Sequence, residues 1–310
     1  MVLCVTFNPA IDRTMVVPDF ASGGVFRPRQ TVVAAGGKGV NVARAIRVLG
    51  GEPVCAGFLG GFSGAFLENS LRDEGIEARW TRLTEGETRT CIILADPDRG
   101  FTTVVNEPGP TVSAADWARL RDDVLNVASD TQFVSLSGSL PPGSPLEAFA
   151  GLAGDLVAAG KQVWVDTSGA PLTAICRVPG VAVKVNDEEA AVLTGHEVRS
   201  IEDAVAAADS VCAITGCRVL ITLGVRGAVL TDGREGWHAL PPPVTIKSGV
   251  GSGDSFLAGL LTALARGESS ASALAQATAA GTANALSIGG GSFTRTEFES
   301  ILKETRVTAL

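Results

Sequence analysis

The stretch "SGVGSGDSF", residues 248–256, sets Gly249, Gly251 and Gly253 just ahead of one carboxylate, Asp254. An apolar helical pattern follows at once through Phe256, Leu257, Leu260, Leu261 and Leu264. Two chemistries fit an acid at a helix start behind a loop almost bare of side chains. In one, Asp254 is a cap or first-turn acid. Its carboxylate then accepts orphan N–H groups and complements the positive end of the helix dipole, while the glycines make a tight turn. In the other, the glycines bare backbone N–H groups so that an anion can sit on the helix N-terminus. An acid there repels a resident phosphate. It is tolerable when its task is to take a proton from a hydroxyl attacking that phosphate. This stretch alone leaves both readings open.

The elements along the chain decide what can stand near it. Short apolar runs at 2–7, 52–60, 131–138, 161–169, 181–186 and 217–224 read as strands. Helical patterns lie between them, for example 39–51, 64–75, 187–195 and 200–215, and two more follow at 254–266 and about 270–287. This alternation predicts an α/β fold with a mostly parallel central sheet and helices on both faces. Two regions break it. Residues 13–37 and 89–110 read as antiparallel strands, the second with the hairpin turn "DPDRG", and together predict one small flanking sheet, a lid, on a single domain spanning 1–310. Ligands of open parallel sheets bind beyond the C-terminal strand ends. That rule collects Asp12, Ser137 to Ser139, Asp166, Lys184, Asn186 and Thr222 to Gly224. Asp166 fits site support and a plain turn equally well.

Bulk properties exclude several classes. The chain has 310 residues, a formal net charge of −8 and no Lys/Arg run, which argues against nucleic acid as a partner. No stretch approaches 18 uninterrupted apolar residues, and the first residues, "MVLCVTFNPAIDRT", lack a basic segment, so neither a membrane span nor a secretory signal is expected. The six cysteines are scattered without Cys-x-x-Cys, and fit buried thiols in a reducing cytoplasm. His196 and His238 show no ligand spacing, which disfavours a transition-metal site or a His-based triad.

The familiar phosphate motifs are absent. "VVAAGGKGVN" has Val32 where a Walker A loop needs its first glycine, and Gly39 where it needs Ser or Thr. Protein-kinase elements are missing, and no early G-x-G-x-x-G follows the first strand. What remains is a set of stretches in order: "NPAIDRT" (8–14), "AGGKGVNVARAIRVLGG" (35–51), "SGSLPPG" (137–143), "KVNDEEAAVLTG" (184–195), "ITLGVRGAVL" (221–230) and "SGVGSGDSFLAGLL" (248–261). Together they resemble the ribokinase-like carbohydrate kinases across nearly the whole chain. "TFNPAIDRT" and "SGSLPPG" resemble the phosphofructokinase-B branch, which holds 1-phosphofructokinases, tagatose-6-phosphate kinases and minor 6-phosphofructokinases.

The resemblance implies a ribokinase-like fold with a β-sheet lid and phosphorylation of a sugar-phosphate hydroxyl by ATP with Mg2+. It implies Asp254 as the base, with the amides of Gly251, Ser252 and Gly253 as the anion hole. Asp12, Gly37, Lys38 and Asn41 are implied to hold the sugar phosphate, with Arg89, Ser137 and Ser139. Asn186 and Glu189 match an Asn-x-x-Glu element linked to Mg2+ and phosphate, Glu189 through water. Lys184, Thr222, Gly224, Gly227 and Asn284 are implied to line the nucleotide site with Asn186.

Plainer roles stand beside these. Asp12 fits a turn cap, Lys38 a solvated loop, Asn41 an N-terminal cap, and Arg89 an exposed strand face. Glu189 fits a dipole-stabilised first-turn acid, and "GTANALS" around Asn284 fits small-residue helix packing. The preferred substrate is fructose 1-phosphate, with tagatose 6-phosphate or fructose 6-phosphate as the nearest alternative. A free-sugar or nucleoside kinase stands further off, since two cations, Lys38 and Arg89, are placed for a ligand phosphate, and so does a sensor without catalysis, since Asp254 and its glycines are intact. An apolar "CIIL" on the predicted lid strand suggests a homodimer through that sheet.

Overall fold

The computed structural model describes residues 1–96 and 98–310. The "DPDRG" turn contains Pro97, which lies outside the described residues. In chain order the strands and helices begin with β1 (Val2–Thr6), β2 (Ala10–Val16), β3 (Gln30–Gly36), α1 (Lys38–Val48), β4 (Pro53–Leu59), α2 (Gly61–Asp73), β5 (Glu77–Arg82), β6 (Arg89–Asp96) and β7 (Phe101–Asn106). They continue with α3 (Ala114–Ala128), β8 (Phe133–Ser137), α4 (Leu146–Ala158), β9 (Gln162–Asp166), α5 (Gly169–Ile175), β10 (Ala182–Asn186), α6 (Asp187–Thr194) and α7 (Ile201–Thr215). The last are β11 (Val219–Thr222), β12 (Ala228–Thr231), β13 (Gly236–Leu240), α8 (Ser252–Ala265), α9 (Ser270–Ala285), α10 (Arg295–Glu304) and β14 (Arg306–Ala309).

A ten-stranded sheet runs in the order β14-β13-β12-β11-β10-β9-β8-β1-β4-β5. From β11 to β5 all neighbours are parallel. The β12–β14 end is antiparallel, an end that the βαβ pattern does not anticipate. A parallel sheet must be covered on both sides, and β1 shows how the sequence arranges this. Its residues alternate faces: Val2 and Cys4 pack into the cluster with Ile46 of α1 and Leu257 of α8, while Leu3 and Val5 pack against Trp117 of α3 and Leu152 of α4.

After β1 the chain builds β4 and β5 on one side and β8 on the other. The crevice beyond the C-terminal end of β1 is therefore a switch point, where such sheets bind ligands.

The small sheet is separate, ordered β3-β2-β6-β7. Two antiparallel pairs, β2–β3 and β6–β7, are joined by the parallel pair β2–β6, in which Asp12 stands opposite Cys91. The sheet thus begins at Ala10 rather than residue 13. Asp12 is a mid-strand residue of it, not a turn residue after β1. Among the described residues, no helix is long and apolar enough to cross a membrane. All six cysteines are free thiols, and five are buried.

Candidate active site

Helix α8 opens on the glycine loop. Gly251 is its N-cap in the left-handed region, φ 77°. A Cβ there would lie 2.3 Å from the Gly290 Cα, so both conformation and space demand glycine. The Ser252 amide donates to the Gly249 carbonyl at 3.2 Å, which removes it from the expected anion hole. The amides of Gly251, Gly253 and Asp254 have no hydrogen-bond partner among the described residues, so the open set loses Ser252 and gains Asp254. Asp254 makes no side-chain cap bond to its own helix. Its Oδ2 accepts from Asn41 Nδ2 at 2.8 Å. The capping role is therefore not the one this geometry uses.

Asp254 is buried, and that burial pushes its carboxyl up from the ordinary range, helped by the nearby Asp166 charge. Lys38, the Asn41 hydrogen bond and Lys184 pull the other way. A carboxylate raised in this manner is a stronger proton acceptor than an ordinary aspartate.

Asp166, at the end of β9, is a hub. Its Oδ1 accepts from Lys38 Nζ at 2.6 Å and its Oδ2 from Lys184 Nζ at 2.7 Å. Burial works against its charge, but Lys184 and Lys38 overcome this and hold the carboxyl below its usual value. Burial likewise opposes the Lys38 charge, yet Asp166 and Asp254 raise its pKa, so the ammonium persists. Glu189 acts on Lys38 in the same sense. Lys38 is thus tied to Asp166 rather than free in a solvated loop, although its side chain stays 40% exposed. It stands with Asp166 and Asp254 on the side of the glycine nest. Lys184 lies against that nest, since a Cβ on Gly253 would be 3.0 Å from its Nζ.

The remaining expected residues divide. Gly37 is the N-cap of α1, with no side-chain cap bond there, so Asn41 is not a cap either. Ser137 is buried in β8, with its hydroxyl paired to Ser135 at 2.5 Å, and it is not free to meet a ligand. Ser139 is exposed beside it. Arg89 donates Nε to the Asn8 carbonyl at 3.2 Å and Nη1 to the Glu107 carbonyl at 3.0 Å, tying the chain just before β2 to the chain just after β7 at one end of the small sheet. Its positive charge also reaches Asp12. Asn186 and Glu189 form a reciprocal capping box at the start of α6, at 2.7 and 3.0 Å, which is the plainer role for that motif.

Asn284 is not among the residues that line the pocket beside the glycine loop. It is fully buried, its Nδ2 donates to the Val250 carbonyl at 2.8 Å, and its Oδ1 accepts from the Gly291 amide at 2.8 Å. It staples the glycine loop to the 289–291 loop.

Thr222, Gly224 and Gly227 do line a pocket, of about 590 Å³, which runs to Ser252 and Gly253. Its far walls are apolar, including Val225, Pro241 to Val244, Ile246 and Phe256. Sequence reasoning missed these walls. The signal available was the proline run 241–243, which marks a rigid loop next to β13.

An apolar cleft opening onto bare amides, with a raised carboxylate and held ammonium groups at its mouth, serves phosphoryl transfer to an alcohol. The protein is a kinase of that class. Residues 5–297 match the pfkB family carbohydrate kinases, and the chain belongs to that family. It is 35% identical over 266 residues to a 1-phosphofructokinase of Xanthomonas campestris pv. campestris, covering 84% of this chain and 83% of the relative. It is 29% identical over 314 residues to a tagatose-6-phosphate kinase of Staphylococcus epidermidis, covering 99% of both. Among solved structures, phosphofructokinase-2 from Escherichia coli in complex with substrates and products superposes with a TM-score of 0.91 at 28% identity, covering 98% of each chain.

Proposed function

We propose that the enzyme transfers the γ-phosphoryl group of ATP to the free primary hydroxyl of fructose 1-phosphate, giving fructose 1,6-bisphosphate. The observation that carries this is Asp254: a buried carboxylate at a helix start, turned away from its own amides, beside the mouth of an apolar pocket. Its carboxylate orients the hydroxyl and takes its proton. The open amides of Gly251, Gly253 and Asp254 meet charge developing on the transferred group, worth about 3 kcal/mol per donor in comparable sites. Lys38, flanked by Asp254 and Asp166, neutralises the same charge from the other side. The nucleotide base occupies the apolar pocket, with Thr222 and the Gly224–Gly227 turn along one wall.

Glu189 would hold Mg2+ through water, with one of its oxygens committed to the cap. The ion would supply positive charge against the phosphates of a bound nucleotide.

Asp12 and Arg89, close enough to couple electrostatically, receive the sugar and its phosphate. The terminal Nη2 of Arg89, unlike Nε and Nη1, has no described partner to give up. The small sheet carries both residues and acts as a lid that excludes water during transfer. Its outer strand β7 is exposed along its whole length, with Phe101, Val104 and Val105 bare, which supports pairing of two copies through this sheet.

Burial raises the Asp12 carboxyl to about 6, with Arg44 and Arg89 lowering it and Asp254 raising it further. Its ionised form accepts two hydroxyl donors, and its protonated form does so poorly. KM for the sugar should therefore climb as pH falls through about 6, while KM for ATP moves little. Asp12→Asn should flatten that rise. A sugar KM indifferent to pH between 5 and 7, on the order of one unit either side of the expected midpoint, would remove Asp12 from the sugar site.

The substrate assignment is tested by ADP release with fructose 1-phosphate, fructose 6-phosphate, tagatose 6-phosphate, fructose and ribose. Fructose 1-phosphate should lead. Tagatose 6-phosphate leading would favour the activity named for the Staphylococcus epidermidis relative, and a uniform lack of response would overturn the kinase reading.

A further inference from the structure

Arg44, on α1, does not line the pocket beside the glycine loop, yet every donor it has is spent around the site. Its Nε and Nη2 grip the two oxygens of Glu74 at 2.6 and 2.9 Å, a two-pronged pair just after α2. Nη2 also donates to the Ala35 carbonyl at 2.9 Å, near the end of β3 in the small sheet. Nη1 donates to the Gly290 carbonyl at 3.0 Å and to Asn41 Oδ1 at 3.3 Å. A guanidinium has five N–H donors in a fixed fork, and here five acceptors meet them.

Two of those acceptors lead to the reacting centre. Asn41 is an amide, and either end can face a neighbour. With Oδ1 held by Arg44, only Nδ2 is left for Asp254, and it donates there at 2.8 Å. Released from Arg44, the amide can flip and turn its oxygen toward the carboxylate, which repels it. Gly290, the other acceptor, fills the space beside Gly251, where an added Cβ would meet its Cα at 2.3 Å. The same guanidinium therefore braces the base and the glycine nest, from an anchor that spans α2 and the end of a lid strand.

We propose that Arg44, locked by Glu74, is a positioning residue for catalysis: it fixes the Asn41 amide so that it donates to Asp254, and it holds the 290 loop against the glycine nest. This rests on the reading of Asp254 as the base. Lysine at 44 keeps the charge but lacks the fork, so it cannot serve Glu74, Asn41, Ala35 and Gly290 together.

The test is Arg44→Lys in the full-length enzyme, with kcat followed against pH, KM for ATP and thermal stability. Turnover should fall by about tenfold or more, less than the roughly 10²-fold minimum for losing a positioned base itself, with KM for ATP within about twofold. The acid limb of the kcat profile should move to higher pH, because Asp254 loses its donor while Lys38, Lys184, Asp166 and Asp12 still face it. In an Asn41→Ala background the same substitution should leave that limb where it is. Glu74→Gln, which loosens the anchor but keeps Arg44, should shift the limb in the same direction by less, and it carries the test if Arg44→Lys does not fold. A lower melting temperature with an unchanged profile and turnover would make Arg44 merely structural and overturn the inference. Asp254→Asn run in parallel separates the two ideas. If that variant is impaired while Arg44→Lys and Glu74→Gln match wild type, only the positioning role falls. If Asp254→Asn is itself fully active, the base assignment falls first.

Discussion

Asp254→Asn should lower kcat by at least about 10²-fold, the scale of a positioned general base, while leaving KM for ATP close to wild type. The isosteric amide keeps the shape at the start of α8 and still meets Asn41, but it cannot take the hydroxyl proton. Activity separates this from capping, because asparagine caps a helix about as well as aspartate does. Asp254 has its carboxyl raised by burial in the folded protein, and the nearby lysines do not fully offset that. A folded pKa above the unfolded one means that ionisation opposes folding as pH rises through it. A neutral amide removes that opposition, so the melting temperature at pH 7 should hold or rise. Full activity of the variant would return Asp254 to the role of a helix-start acid, which asparagine also fills. Much of the loss can be orientation rather than proton transfer, because a loose phosphoryl transition state demands little ionisation of the nucleophile.

Asp166→Ala should be the most damaging substitution for the fold. Asp166 is 1% exposed and Lys184 6%, so removing the carboxylate strands a buried ammonium. Breaking one side of such a pair costs about 3–5 kcal/mol. Lys38, 40% exposed, can turn to water and adds little to that figure. The sign with pH follows from the depressed Asp166 carboxyl. Its stabilising effect is complete above the unfolded value of about 3.9 and is lost as pH falls through the lower folded value. The stability gap between wild type and Asp166→Ala, measured by denaturant unfolding, should be full at pH 7 and close only in that acid range. Asp166→Asn should show the same pattern. A gap below about 1 kcal/mol, or one independent of pH, would mean the pair contributes no more than a surface contact.

These two acids also show what a sequence discloses. Asp254 is legible because its meaning is local: the glycines, the acid and the apolar face of α8 lie within one short run. The Asn186–Glu189 box is local too; the sequence shows Glu189 as a first-turn acid, and the structure adds its reciprocal cap with Asn186. Asp166 is ambiguous in sequence because its partners are 128 and 18 residues away, and only the parallel order of the strands brings them together. Asn284 misleads for a related reason. Its surroundings read as small-residue packing, but its five hydrogen-bond partners come from the glycine loop, α8 and residues 291–292, which sequence order keeps apart. The parallel core and the small sheet follow from strand–helix alternation and its two interruptions. The antiparallel end escapes that logic, because β12 and β14 are only four residues long and show too little alternation to stand out. Asp12 was drawn toward the site by strand order, and it arrives on a strand of the small sheet rather than on a loop.

Phosphorus NMR of the wild-type enzyme mixed with fructose 1-phosphate and MgATP reads the proposed reaction itself. ATP signals should give way to ADP, with one new sugar phosphomonoester resonance growing in step and the original C1 phosphate retained. Growth of inorganic phosphate alone, or ATP left intact beside unchanged fructose 1-phosphate, would contradict transfer to that sugar.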